Sequence, residues 1–303
     1  MGVQGAARPL ALVTGASSGI GRALATRLAV CGFDLVIAAE DDGLRGVAQT
    51  LGGLGCEVTA VQVDLAVAEG VVRLHHEVSA GGRPVSVGAL NAGVAVGGDF
   101  VRTELADDLR LVDLNCRSTV HLAKLLARDM VAAGEGRLLF TSSIAGAAPS
   151  PYQATYGASK AFVHSFAEAL RHELRGTGVT VTSLMPGPTD TAIFDRGGLE
   201  STAIASGRKD DPDEVARDAV TALLALRAVV VTGPATNRVQ VAAAGVMPAE
   251  VAAAFVAADP TRNRRIDSAP GRLRSQPRPG RQGRKLALVT HPLGQFRPGR
   301  TGL

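Results

Sequence analysis

The stretch that most restricts the fold is Leu10–Thr14 (LALVT) together with the Gly15, Gly19 and Gly21 that follow it. A short apolar run leads into a glycine-punctuated turn, then into a helical pattern in which Ile20, Leu24 and Leu28 share one face before Gly32. Apolar strand, glycine turn and helix N-terminus, in that order, predict a parallel α/β sheet, because parallel strands need a helical crossover. Such a turn also brings backbone N–H groups and the helix dipole to a pyrophosphate, since glycine has no Cβ to obstruct the approach. The spacing Gly-x-x-x-Gly-x-Gly is a variant of the dinucleotide fingerprint, with a purely structural turn as the alternative.

The alternation continues along the chain. Strands are expected at Asp34–Ala39, Glu57–Leu65, Val85–Leu90, Arg137–Ser142, Val179–Leu184 and Ala228–Thr232, separated by helical patterns that include a long one from Asp107 to about Ala133. Residues 213–260 still read as helical. Seven strands in this arrangement form one large α/β layer structure.

Candidate site residues fall at strand ends. Glu40 closes the second strand about 20 residues after the glycines, where a carboxylate can accept from ribose hydroxyls and would repel a 2′-phosphate. It argues for NAD over NADP, with capping of the next helix as the alternative reading and Arg22 or Arg45 available to compensate. Asp64 ends the third strand, where an adenine amino group could be met. Ser143 follows the fifth strand, at the carboxyl edge where α/β ligand crevices lie. Tyr156 stands thirteen residues after Ser143, and Lys160 four after Tyr156. Residues four apart share a helix face, so the ammonium is expected to lower the phenol pKa toward the range of an acid–base catalyst. An ordinary helix pair is the other reading of that spacing. Asn115, between Leu114 and Cys116, needs partners if it is buried and is either a satisfied core amide or part of a site. His75 and His76 point to different sides of a helix and read as solvated surface, so no metal site is expected.

Composition excludes several classes. Cys31, Cys56 and Cys116 are an odd number without short pairing, which speaks against a disulfide framework or a zinc site. No uncharged apolar stretch reaches the roughly 18 residues of a membrane span, and no signal-peptide pattern opens the chain, so a cytoplasmic protein is expected. The net charge of +4 is uneven. Residues 261–303 carry eleven Arg or Lys against Asp267 alone, leaving the preceding residues at −6. This Pro/Gly/Arg-rich tail is expected to be disordered. Without aromatic residues interleaved among the charges of Ser268–Lys285 it does not point to nucleic acid.

Taken together, the chain resembles the short-chain dehydrogenase/reductase family, of the shorter single-domain kind. The matching pieces are Thr14-Gly-Ala-Ser-Ser-Gly-Ile-Gly21, Asp64, Asn91-Ala-Gly93, Asn115, Ser143, Tyr156-x-x-x-Lys160, and Pro186-Gly187 with Thr191, in order across about residues 8–235. Two positions depart from the family pattern: Leu90 precedes Asn91 where a second asparagine is usual, and Ser86 replaces an aspartate. The resemblance implies a doubly wound, Rossmann-type, seven-stranded parallel sheet with helices on both faces and a C-terminal helical extension. The domain would span 1–260, with the tail as 261–303.

It further implies an NAD(P)-dependent oxidoreductase interconverting an alcohol and a carbonyl. Tyr156 would be the acid–base group, Ser143 would stabilise charge on the substrate oxygen, Lys160 would bind the nicotinamide ribose, and Asn115 would hold a water in a proton relay. Cofactor contacts would come from Gly15, Ser17, Ser18, Gly19, Ile20, Gly21, Glu40, Asp64, Leu65, Asn91, Ala92, Gly93, Tyr156, Lys160, Pro186, Gly187, Thr189 and Thr191, the last holding the carboxamide. A cofactor-binding regulatory protein without turnover is the alternative, though its usual mark is loss of the Tyr or Lys. Small apolar residues around Ala145–Tyr152 and Val94–Val96, and Ile193 and Phe194 in the stretch Pro188–Asp211, predict a small hydrophobic alcohol or carbonyl substrate. A homodimer or homotetramer is implied, with apolar stripes at Leu122–Leu126 and Phe162–Leu170 suited to the interface.

Overall fold

The computed structural model describes residues 8–190 and 209–258. Thr191, Ile193, Phe194 and the basic tail 261–303 lie outside the described residues. Strand β1 (Leu10–Thr14) enters helix α1 (Gly19–Val30), and β2 (Asp34–Ala39), α2 (Leu44–Gly52), β3 (Val58–Gln62) and α3 (Ala68–Ala80) follow. After β4 (Val85–Leu90) come α4 (Leu105–Val112), a π-helical segment Asp113–Arg117 and α5 (Ser118–Ala133). Then β5 (Gly136–Thr141), α6 (Ala154–Glu173), β6 (Val179–Met185), α7 (Pro212–Leu224), β7 (Val229–Val231), α8 (Ala235–Ala244) and α9 (Ala249–Ala258) complete the order.

The strands form one sheet in the order β3-β2-β1-β4-β5-β6-β7, and every pair is parallel. Strand order reverses direction between β1 and β4, which leaves a crevice at their carboxyl ends. Side chains alternate across the pleat. Ala11, Val13, Leu35, Ile37 and Val87 meet α1, α2 and α7 through Leu24, Leu28, Leu44, Leu51 and Leu223 on one face. Leu12, Val36, Leu138 and Phe140 meet α3, α5 and α6 through Leu74, Leu126 and Val163 on the other. The doubly wound expectation therefore holds. With 3% aromatic residues, the core is built from many aliphatic side chains, each contributing about 1.5–3 kcal/mol on full burial.

Three details differ from the sequence expectation. Strand β3 ends at Gln62, so Asp64 sits in the loop beyond the sheet. The long helical pattern is interrupted by the π segment Asp113–Arg117, whose wider turn contains Asn115. Leu122 and Leu126 are fully buried under the sheet and cannot form a subunit interface. Their apolar periodicity is accounted for by the protomer core. In the second proposed stripe, Phe162 is exposed and stacks on Phe166 at 6.1 Å between ring centroids.

Candidate active site

The glycine turn is packed hard against the end of β1. Gly15 adopts φ +67°, and a Cβ on Gly21 would come within 2.0 Å of the Gly15 carbonyl oxygen, so Gly21 admits no side chain. Ser18 is the N-cap of α1, but its side chain makes no capping hydrogen bond and the first turn holds no acidic residue. The amide donors of this helix terminus are left to a ligand, with the dipole favouring an anion.

Asn91 joins three strand ends around this turn. Its Nδ2 donates to the Thr14 carbonyl at 3.2 Å, its Oδ1 accepts from the Thr141 hydroxyl at 3.1 Å, and its backbone N–H donates to the Thr14 hydroxyl at 3.0 Å. The Asn91-Ala92-Gly93 stretch is thereby fixed beside the turn.

At the far side of the turn, Glu40 and Asp64 are bridged by Arg110 of α4. Arg110 donates to Glu40 Oε2 at 2.5 Å and to Asp64 Oδ2 at 3.1 Å. Burial works against the guanidinium charge, but the two carboxylates outweigh it and hold the Arg110 pKa above its ordinary value. Arg110 is a site residue that sequence reading missed. The compensating arginines considered there, Arg22 and Arg45, are both exposed. Ser17 donates to the Asp41 carboxylate at 2.6 Å.

The opposite end of the crevice gathers Ser143, Tyr156 and Lys160. Ser143 N-caps a 3₁₀ turn, Ile144–Gly146, accepting from the Ala145 N–H at 3.1 Å. Tyr156 lies in the first turn of α6, half-buried. Lys160 is buried, its Nζ donates to the Thr141 carbonyl at 2.9 Å, and it stands 5.8 Å from the Tyr156 ring centroid. Burial lowers the Lys160 pKa to about 8. Burial also pushes the Tyr156 pKa up, with the Ser143 hydroxyl pulling it the other way. The direction of the Tyr156 shift is thus set by burial against the Ser143 hydroxyl, while the Lys160 ammonium is directed at the Thr141 carbonyl.

Asn115 is buried and fully engaged. Its Oδ1 accepts from the Val94 N–H at 2.9 Å, and its Nδ2 donates to the Val94 carbonyl at 2.9 Å and to Ser159 Oγ at 3.0 Å. The structure thus shows a satisfied amide tying the β4 loop to α6. Both Nδ2 donors are engaged, so a bound water would have only the second Oδ1 lone pair or the backbone to meet.

One cleft joins these two ends. Its wall includes Gly15, Ser17, Ser18, Gly19, Ile20, Gly21, Glu40, Asp64, Leu65, Asn91, Ala92, Gly93, Ser143, Tyr156, Lys160, Pro186, Gly187 and Thr189. Asn115 stands behind it. Val94, Ala95, Ile144 and Ala145 supply apolar wall, and so does Leu114. Of the predicted substrate stretch 145–152, Ala145 reaches the cleft, whereas Ala147 and Ala148 are not part of its wall. Among the described residues no cluster of His, Cys, Asp and Glu could hold a metal ion, and no helix is long and apolar enough to cross a membrane.

Comparison with known proteins gives concordant matches. The family model described as short chain dehydrogenase matches residues 9–199. The uncharacterised short-chain type dehydrogenase/reductase y4eK of Sinorhizobium fredii is 32% identical over 220 residues, covering 71% of this chain and 85% of that protein. Glycine betaine reductase ATRR of Emericella nidulans is 33% identical over 223 residues, 71% of this chain but 17% of that much longer protein. Among solved structures, a short-chain dehydrogenase from Sphingobium yanoikuyae in complex with NADPH superposes with TM-score 0.71 at 31% identity, covering 78% of this chain and 93% of the other. A short chain dehydrogenase/reductase from Burkholderia phymatum in complex with NAD gives TM-score 0.71 at 28% identity, covering 77% and 92%.

Proposed function

Because this chain belongs to the short-chain dehydrogenase family, we propose that it interconverts an alcohol and a carbonyl through Tyr156, Ser143 and Lys160, with NAD(H) as the preferred cofactor. As a member of that family it is an NAD(P)-dependent oxidoreductase. The observation that carries the reading is the cleft itself, which runs from the uncapped N-terminus of α1 to Ser143, Tyr156 and Lys160.

The residues present fit a dinucleotide. The Gly15–Gly21 turn with its free helix N-terminus suits the pyrophosphate, the Glu40 end suits the adenosine, and Gly93, Lys160, Pro186, Gly187 and Thr189 suit the nicotinamide end. The cofactor supplies the hydride chemistry. Tyr156 exchanges a proton with the substrate oxygen, and Ser143 donates to that oxygen as charge develops on it. Lys160, anchored on Thr141, lines the cleft beside Tyr156. Asn115 holds Val94 against α6 and so keeps the apolar wall beside Tyr156 in place.

The preference for NAD(H) rests on charge. Arg110 offers one positive charge against the carboxylates of Glu40 and Asp64, so the adenosine end stays net negative and disfavours a 2′-phosphate. The apolar wall of Val94, Ala95, Ile144 and Ala145 suits a small, largely hydrophobic substrate. The test is fluorescence titration of the full chain with NADH and with NADPH, followed by turnover assays on alcohols and ketones. Binding without turnover of any member of a broad panel would favour a regulatory role instead.

A further inference from the structure

Nearly every polar side chain at the inner end of the cleft is held by the protein. Thr141 donates to Asn91, Ser142 to the Lys160 carbonyl and Thr189 to the Gly187 carbonyl. Gln153 differs. It lines the cleft and is 9% exposed, yet its side-chain amide makes no hydrogen bond among the described residues. Only its backbone is used, the carbonyl accepting from the Gly157 N–H at 2.8 Å as α6 begins. The amide is open to the cleft rather than sealed in the core, so it can exchange water for the hydrogen bonds of a ligand, and a polar group of a site wall that the protein leaves unpaired reads as reserved for one.

Its position says which ligand. Gln153 is the N-cap of α6, three residues before Tyr156 in the sequence, and both side chains line the same end of the cleft. The Tyr156 hydroxyl meets the reacting oxygen, so the Gln153 amide meets an oxygen a short distance along the substrate. An amide both donates and accepts, and suits a neutral hydroxyl or carbonyl oxygen. Resting on the proposed oxidoreductase function, we propose that Gln153 is a substrate-specificity residue that hydrogen-bonds a second neutral oxygen, one or two carbons from the reacting carbon. The substrate class is an α- or β-oxygenated ketone, or the corresponding alcohol, with its hydrocarbon part against Val94, Ile144 and Ala145.

The test compares matched substrates in the full chain with saturating NADH and, separately, NADPH: butan-2-one against 3-hydroxybutan-2-one, and pentan-2-one against ethyl 3-oxobutanoate. The expected result is a kcat/KM at least about tenfold higher for the oxygenated member of each pair, the size of effect a site built to hydrogen-bond an oxygen delivers. Gln153→Met, similar in size but without hydrogen-bonding capacity, is expected to bring each pair within about twofold while NADH binding, read by fluorescence, stays unchanged. Should that variant lose NADH binding, Gln153→Leu provides the same comparison. Equal activity on both members in the wild type, or a preference that survives both substitutions, overturns the proposal and leaves the oxidoreductase reading standing. No turnover of any of the four with either cofactor also overturns the proposal, whereas the oxidoreductase reading falls only if the broad panel of alcohols and ketones likewise gives binding without turnover.

Discussion

Lys160 of α6 donates its Nζ proton to the backbone carbonyl of Thr141, at the end of β5, over 2.9 Å. The contact fixes the ammonium between the sheet edge and the Tyr156 ring, where it is buried and its pKa falls from 10.5 to about 8.

Lys160 is accordingly a stability cost carried for function. A lysine whose folded pKa lies below its unfolded value destabilises the fold most below the folded pKa, and the penalty fades as pH rises toward the unfolded one. Lys160→Met is expected to raise stability at pH 7 by about 1–3 kcal/mol, the desolvation relief less the lost bond to Thr141. The difference from wild type should shrink between about pH 8 and 10.5. Denaturant melts across that range provide the check, and a variant less stable than wild type at pH 7 contradicts the argument.

Removal of the Tyr156 hydroxyl separates chemistry from binding. Tyr156→Phe keeps the ring that packs near Lys160 but leaves no proton to exchange. Turnover is expected to fall by about 10²-fold or more, with NADH affinity within about threefold of wild type. Retained activity would show that another group moves the proton.

Charge at the adenosine end is set by Glu40, Asp64 and Arg110 together. Glu40→Ala releases one edge of the Arg110 guanidinium and makes the local formal charge less negative by one. The ratio of NADPH to NADH affinity is expected to rise roughly tenfold, about 1.4 kcal/mol. Parallel fluorescence titrations measure it; an unchanged ratio would place the 2′-position away from this cluster.

Asn115→Ala removes both side-chain bonds to Val94 and the one to Ser159. Leaving these buried groups without partners is expected to cost about 2–4 kcal/mol of unfolding free energy. Cofactor affinity should change less than stability does, because Asn115 stands behind the cleft wall. A variant as stable as wild type would contradict the clamping role.

The subunit-interface expectation shows why a stripe of leucines is ambiguous in sequence. Leu122 and Leu126 recur at the helical interval that any buried face shows, and only the placement of α5 against β4 and β5 decides that they face inward. Phe162, on the same argument from periodicity, is left outside. Gln153 stands three residues before Tyr156 in the sequence, but its meaning needed the tertiary structure, which seats it at the N-cap of α6 on the cleft wall with its amide unpaired among the described residues.

What the sequence alone determined is what depends on short-range pattern. The apolar run before Gly15, Gly19 and Gly21, the alternation of strand and helix, and the interval from Tyr156 to Lys160 follow from backbone sterics and the helical period, which act over a few residues. What the tertiary structure decided is which distant groups meet and how far water is excluded from them. Arg110 reaches Glu40 across 70 positions and Asp64 across 46, and no local pattern marks that encounter. The surroundings of Tyr156 and Lys160 are likewise a product of folding. Both stand beside one another as their spacing requires, but the burial that packing α6 on the sheet imposes, a property of the whole assembled core, is the largest influence on the pKa of each.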